Sequence, residues 1–93
     1  MDLGLTGRTA IVCGASAGMG LATAGAFAAE GVNVAMFARR REVLEREAER
    51  LGALAVRGDV RDPADLERLV ERTVKAYGGV DVLINNSGGP PRT

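Results

Sequence analysis

The chain has 93 residues, enough for one small domain, and its 12 basic and 12 acidic residues leave no formal net charge. Proteins that bind nucleic acid or membrane surfaces through charge carry a basic excess, so neither class of partner is expected. The single cysteine excludes an internal disulfide, and the absence of histidine removes the commonest metal ligand, so no metal site is expected either.

Short apolar runs alternate with helical patterns in the first half of the chain. Residues 9–13 (TAIVC) are apolar and flanked by glycines, which predicts a buried strand. Residues 21–30 are rich in alanine and stop before a glycine, which predicts a helix. A second strand is predicted over residues 33–38, and a helix over residues 40–51 that ends at Gly52.

The second half repeats the alternation. Residues 53–58 (ALAVRG) predict a third strand. Asp62 followed by Pro63 is typical of a helix start, and one apolar stripe then continues as far as Tyr77. Residues 80–85 (VDVLIN) predict a fourth strand, and the remaining residues have the composition of a loop.

The predicted order is therefore β-α-β-α-β-α-β with short connections. Strands that are apolar along most of their length are covered on both faces, as in a parallel sheet with right-handed crossovers. The fold class is α/β: the N-terminal portion of a Rossmann-like doubly wound parallel sheet. No linker interrupts residues 1–93, so they are expected to form part of a single domain.

Three glycines lie between the first predicted strand and the first predicted helix. In such sheets this turn delivers outward-facing amides that hold a pyrophosphate. Gly14 would form the tight turn, Gly18 would let phosphates approach, and Gly20 would let the helix pack closely. Ser16 could add a hydroxyl donor, and Met19 lies inside the same motif. The alternative is an ordinary loop whose glycines serve only the turns.

Three motifs in order resemble the short-chain dehydrogenase/reductase family. CGASAGMG at residues 13–20 is similar to its glycine motif, with Cys13 in the usual threonine position. GDV at residues 58–60 is similar to the motif after strand three, which implies that Asp59 contacts the adenine beside Val60. NNSG at residues 85–88 is similar to Asn-Asn-Ala-Gly, which implies cofactor contacts from the residues Asn86, Ser87 and Gly88.

The residues after strand two indicate which dinucleotide is the partner. An acid there holds a ribose 2′-hydroxyl, whereas an arginine accommodates a 2′-phosphate. By the spacing of the family that the chain resembles, Ala38 at the end of strand two occupies the acidic position, and Arg39 and Arg40 follow it. NADP is therefore the expected cofactor. NAD remains possible, because Ala17 stands where many NADP-binding relatives carry a basic residue.

The family resemblance implies hydride transfer between a nicotinamide and a carbonyl or alcohol substrate. Family members use a serine, a tyrosine and a lysine that lies four residues after the tyrosine. Tyr77 has no lysine four residues later and completes a buried stripe, so no catalytic residue is assigned. The 93 residues alone are expected to turn over no substrate. The alternative function is a self-standing nucleotide-binding or interaction module without catalysis.

The remaining expectations concern substrate, assembly and location. The family resemblance implies a small-molecule carbonyl or alcohol substrate for the complete enzyme, and the sequence does not specify it further. The tail NNSGGPP is similar to branches around 3-oxoacyl-carrier-protein reductases. A homo-oligomer is expected for the complete enzyme. The N-terminus has no apolar stretch of signal-peptide length, and no run reaches membrane-spanning length, so the cytoplasm is the expected location.

Overall fold

A computed structural model describes residues 4–85, in which four strands alternate with three helices. The predicted order β-α-β-α-β-α-β is confirmed. The elements are β1 (Thr9–Cys13), α1 (Gly18–Ala29), β2 (Asn33–Ala38), α2 (Arg41–Leu51), β3 (Leu54–Arg57), α3 (Pro63–Tyr77) and β4 (Val82–Asn85).

The four strands form one parallel sheet in the order β3-β2-β1-β4. The chain steps outward from β1 to β2 and β3, and then crosses back to place β4 on the other side of β1. The carboxyl ends of all four strands therefore lie along one edge. The turn after β1 and the segments after β2 and β3 meet at this carboxyl edge, where ligands of such sheets bind.

Helices cover both faces of the sheet, so two apolar cores form. On one face α1 and α2 pack on alternate strand residues, with Met36 and Leu44 fully buried. On the other face α3 packs on the intervening residues, with Phe37 fully buried and Leu69 nearly so. Adjacent residues such as Met36 and Phe37 enter opposite cores because strand side chains alternate between faces. None of the helices in the described part of the chain has the length and apolar character needed to cross a bilayer.

Several element bounds differ from the sequence prediction. The helix α1 begins at Gly18 rather than Leu21, because its first turn is made of the glycine motif and not of the alanine-rich run. Arg40 caps α2 instead of lying inside it, and β3 is shorter by one residue at each end. The start of α3 is as predicted, with Asp62 accepting a hydrogen bond from the backbone N–H of Ala64 at 3.0 Å.

The opposite, amino edge of the sheet explains why β4 begins at Val82 rather than residue 80. Asp81 uses its backbone N–H to bond Thr9 O at 2.8 Å, and its Oδ2 accepts from the Thr9 N–H at 2.9 Å. Its other carboxylate oxygen lies 3.5 Å from the guanidinium of Arg8. Asp81 therefore clamps the entry of β4 to the entry of β1, and regular strand pairing starts only after it.

Candidate nucleotide-binding site

The turn after β1 is held tightly against the end of β2. Gly14 has a φ of +68°, a conformation that L side chains disfavour. The backbone N–H groups of Gly14 and Ala15 both donate to Phe37 O, at 2.8 and 3.2 Å. The side chain of Ala15 is fully buried. The chain thus leaves β1 in a fixed direction and enters α1 at the carboxyl edge.

Gly18 opens the amino end of α1 to solvent. Its φ is +59°, and a Cβ built on it meets nothing within 4 Å. The preceding cap residue, Ala17, makes no side-chain hydrogen bond, and no acidic residue lies in the first turn. First-turn amides without a capping side chain present donors together with the positive end of the helix dipole. This open, uncapped helix end is a physical fit for an anionic group.

Gly20 is where α1 touches the preceding turn. A Cβ on Gly20 would lie 1.9 Å from Gly14 O and 2.7 Å from Gly14 C, which are backbone atoms that cannot rotate away. From the sequence, Gly20 was expected to let the helix pack closely on the sheet. In the structure, the close approach at Gly20 is between α1 and the turn after β1. Ser16 is half-buried in that turn, and the side chain of Met19 is 76% exposed beside it.

Arginines gather at the end of β2. Ala38 is buried and is paired in register with Arg57 of β3. Arg39 and Arg40 are exposed, and Arg40 caps α2 without a side-chain hydrogen bond. Arg57 donates from Nε to Arg39 O at 3.3 Å. The position that sequence reasoning chose for recognition of the ribose is therefore flanked by arginines from two neighbouring strands.

Asp59, after β3, is held by two partners that the sequence analysis did not identify. Its backbone N–H donates to Asp65 Oδ2 at 2.9 Å. Its Oδ1 accepts from the backbone N–H and Nε of Arg61 at 2.9 and 3.2 Å, and its Oδ2 accepts from a terminal nitrogen at 2.9 Å. Val60 is half-buried against the core on the α3 side. The sequence could have indicated one of these partners, because Asp65 lies in the first turn of α3, only six residues after Asp59.

Arg61 keeps the carboxyl group of Asp59 ionised. The side-chain hydrogen bonds from Arg61, followed by its backbone N–H, lower the pKa of Asp59 to about 2. The pKa of Asp65 is also lowered, first by the Asp59 backbone N–H and then by the side chain of Arg68. Both carboxylates are hydrogen-bond acceptors at neutral pH, and neither is poised to exchange a proton there.

A carboxyl-carbon NMR titration tests this pairing. We expect Asp59 to titrate with a midpoint near 2, and Arg61→Gln to move that midpoint up toward the ordinary value of about 3.9. Because the folded pKa is depressed, the contribution of the pair to stability is complete above the unfolded pKa and is lost as pH falls through the folded one. Arg72→Gln, which removes an exposed arginine of α3, should leave the midpoint unchanged. An ordinary midpoint in the wild type would contradict the pairing.

Other residues singled out by sequence lie away from the carboxyl edge or outside the described part. Asn86, Ser87 and Gly88 lie outside the described residues. Tyr77 donates its hydroxyl to Val34 O at 3.3 Å, near the start of β2, in agreement with the structural role expected for it. Cys13 is buried in the core, and burial raises the pKa of its thiol.

Comparison with known proteins identifies the class. The sequence model of the family described as short chain dehydrogenase matches residues 8–93. The chain therefore belongs to the short-chain dehydrogenase/reductase family.

Individual relatives are similar over almost the whole chain. An uncharacterized oxidoreductase of Mycobacterium bovis is 42% identical over 88 residues, which cover 90% of this chain and 36% of that protein. Glucose 1-dehydrogenase of Gluconobacter oxydans is 40% identical, over 88% of this chain and 33% of the relative. The chain spans about a third of the length of each of these two relatives.

Solved structures agree with the fold. L-sorbose reductase from Gluconobacter frateurii, complexed with NADPH and L-sorbose, superposes with a TM-score of 0.91 at 36% identity. That match covers 100% of this chain and 38% of the reductase. Actinorhodin polyketide ketoreductase with NADPH gives a TM-score of 0.85 at 37% identity, covering 97% of this chain and 36% of the ketoreductase.

Proposed function

We propose that the chain is the NADP(H)-binding, N-terminal part of a single dinucleotide-binding domain in an oxidoreductase. The observation that carries the proposal is the amino end of α1, where Gly18 leaves open space in front of uncapped amides. A side chain there would fill the cradle. Such a helix end favours a pyrophosphate, because the amides and the dipole act on the same negative charge.

The turn residues would complete the phosphate contacts. Ser16 has a hydroxyl that can donate to a phosphate oxygen, and it lies half-buried between Gly14 and Gly18. Met19 offers a flexible apolar side chain that is 76% exposed next to the cradle. Gly14 and Gly20 act indirectly, since they fix the turn and the approach of α1 rather than leave open space.

The adenosine end of the cofactor would lie along the ends of β2 and β3. The Asp59 carboxylate is ionised and can accept from the adenine amino group, with Val60 beside it. Arg39 and Arg40 would bind the 2′-phosphate that distinguishes NADP from NAD. Two similar structures contain NADPH, which supports the choice of this cofactor.

When bound, the nicotinamide supplies or accepts the hydride in reactions between carbonyls and alcohols. The described residues of this chain bind and orient the cofactor, and we assign none of them to proton transfer, because Tyr77 is engaged with β2. A small-molecule ketone or alcohol is the proposed substrate class, within a branch similar to 3-oxoacyl-carrier-protein reductases. The similarity to a polyketide ketoreductase supports a ketone. Asn86, Ser87 and Gly88 are proposed as further cofactor contacts on the strength of the NNSG motif.

We also propose that the full-length protein is a cytoplasmic homo-oligomer. Support for association comes from apolar side chains exposed on the α3 side of the sheet. Val70 and Val74 of α3 are 47% and 43% exposed, and Leu83 of β4 is 62% exposed. Apolar residues grouped on one side of a protein commonly mark a surface that another unit covers.

Replacing Gly18 with valine tests the phosphate cradle. In the full-length protein we expect NADP⁺ affinity to fall by roughly tenfold or more, equivalent to about 1.4 kcal/mol, because the new side chain occupies the ligand space. Isothermal titration calorimetry measures the two affinities directly.

The control must match the backbone strain, since a φ of +59° is unfavourable for valine. Gly52→Val provides it: Gly52 has a φ of +70° with open space around it, and it lies between α2 and β3 at the amino edge of the sheet. We expect Gly52→Val to lower thermal stability similarly but to leave NADP⁺ affinity unchanged. Equal affinities for the folded Gly18→Val variant and the wild type would refute the cradle.

A further inference from the structure

A third arginine stands beside the two that follow β2. Arg57 is the last residue of β3, and the register of the sheet pairs it with Ala38. Its Nε lies 3.3 Å from Arg39 O, so its guanidinium group contacts the peptide that joins Arg39 to Arg40. Three exposed arginines, two directly after β2 and one at the end of β3, therefore lie at the carboxyl edge.

These three arginines have no carboxylate within ion-pair distance in the described part of the chain, although the charge of Arg39 contributes to the lowered pKa of Asp59. Six other arginines there lie within 4.0 Å of a carboxylate, namely Arg8, Arg41, Arg46, Arg50, Arg61 and Arg68. Arg39, Arg40 and Arg57 form no such pair among residues 4–85. They also flank the amino end of α2, whose cap lacks a side-chain hydrogen bond and whose dipole disfavours cations. An anion bound at this place would be attracted by several positive charges at once.

Arg57 is already positioned for such a contact. A guanidinium group carries five N–H donors in a planar fork, so the bond from Nε leaves the terminal nitrogens available. The backbone of Arg57 is held as well, because Arg68 of α3 donates to Arg57 O while it pairs with Asp65 at 2.9 Å. The strand end and the side chain are therefore both restrained before a ligand arrives.

We propose that Arg57 is a cofactor-specificity residue that binds the 2′-phosphate of NADP together with Arg39, and that its Nε fixes the backbone of Arg39 for the same task. This inference rests on the proposed function, since it requires the adenosine end of a dinucleotide at the carboxyl edge. A phosphate monoester suits the site because its oxygens accept several charge-assisted hydrogen bonds from two guanidinium groups. A ribose hydroxyl carries no charge, so NAD gains little from Arg57.

The test uses the full-length protein and calorimetric titration with NADP⁺, NAD⁺ and inorganic phosphate. Arg57→Met keeps an unbranched side chain that reaches about as far as Nε, but it removes the charge and the donors. We expect it to weaken NADP⁺ binding by roughly tenfold or more, while NAD⁺ affinity stays within about twofold. Arg57→Lys restores the charge without the fork, so its NADP⁺ affinity should lie between those of wild type and Arg57→Met.

Arg72→Met is the matched control, because Arg72 is exposed on α3 and forms no ion pair in the described part of the chain. It removes the same charge, and we expect both affinities to stay unchanged. Inorganic phosphate should compete with NADP⁺ only weakly, since it lacks the adenosine and pyrophosphate contacts. If inorganic phosphate bound as tightly as NADP⁺, the assignment of Arg57 to the 2′-phosphate of the cofactor would be overturned.

The remaining outcomes separate this inference from the proposed function. A wild type that prefers NADP⁺, with the same preference in Arg57→Met, overturns the role of Arg57 alone. Equal losses for NADP⁺ and NAD⁺ in Arg57→Met also overturn it, because they indicate a general structural effect. A wild type that does not prefer NADP⁺ overturns the proposed cofactor and this inference together.

Discussion

Replacing Gly20 with alanine is expected to destabilise the fold by roughly 3 kcal/mol, at the upper end of the usual cost of overpacking. The added methyl group would stand 1.9 Å from Gly14 O, and neither atom belongs to a side chain that can rotate. Either α1 must move away from the sheet, or the turn must give up its hydrogen bonds to Phe37 O. We expect a fall of several degrees in the thermal midpoint, measured by circular dichroism on the full-length protein.

A second substitution in the same helix serves as a control, because it is expected to have the opposite effect on stability. Gly25 also lies in α1, but a Cβ there meets only Leu51 Cδ2, at 3.9 Å, an ordinary contact. Alanine in a helix interior is more favourable than glycine by roughly 0.5–1 kcal/mol, so Gly25→Ala should raise the thermal midpoint. Equal midpoints for Gly20→Ala and Gly25→Ala would show that the contact between helix and turn does not constrain the fold.

Exchanging two residues at the end of β2 is expected to change the cofactor preference. Ala38→Asp combined with Arg39→Ile removes one cation from the 2′-phosphate and introduces a carboxylate that repels it. A lost charge-assisted contact is worth about 1.5–3 kcal/mol, so the ratio of NADP⁺ to NAD⁺ affinity should fall roughly ten- to 150-fold. Arg57 lies next to Ala38 in register, so the introduced carboxylate gains a neighbouring cation although the site is buried.

The single substitutions separate the two contributions. Arg39→Ile should weaken NADP⁺ alone, whereas Ala38→Asp should also strengthen NAD⁺ through the ribose hydroxyl. Affinities are measured by calorimetry on the full-length protein, and circular dichroism checks that the buried carboxylate is tolerated. A wild type that already binds NAD⁺ more tightly would contradict the role given to Arg39.

The pattern of apolar residues predicted the bounds of an element well where an apolar run ends abruptly in the sequence. β1 and β2 match their predicted bounds, since each is an apolar run with a polar residue or a glycine at its ends. The prediction was wrong for the start of α1, because a glycine at positive φ gives no periodic signal that a helix has begun. β4 starts later than predicted because Asp81 bonds a residue 72 positions earlier in the chain.

The candidate site, too, could be predicted from the sequence only in part. The glycine motif could be found from its place between a strand and a helix, and Asp59 from the family resemblance of the GDV motif. The arrangement around them could not, since Arg57 meets Arg39 only through the pairing of two strands, 18 positions apart in the chain. Arg61 pairs with Asp59, two positions earlier in the chain, whereas Arg57 does not pair with a described carboxylate.

The crossover that places β4 beside β1 also sets an order of assembly. Thr9 of β1 is paired with Asn33, 24 positions later, whereas its bond to Asp81 spans 72 positions, three times as many. Closing the longer loop costs about 1 kcal/mol more chain entropy. During synthesis β1 can join β2 early, yet it remains an edge strand until Asn85 has been made. An interior strand of the described sheet is thus exposed on one side for most of the time in which this segment is translated.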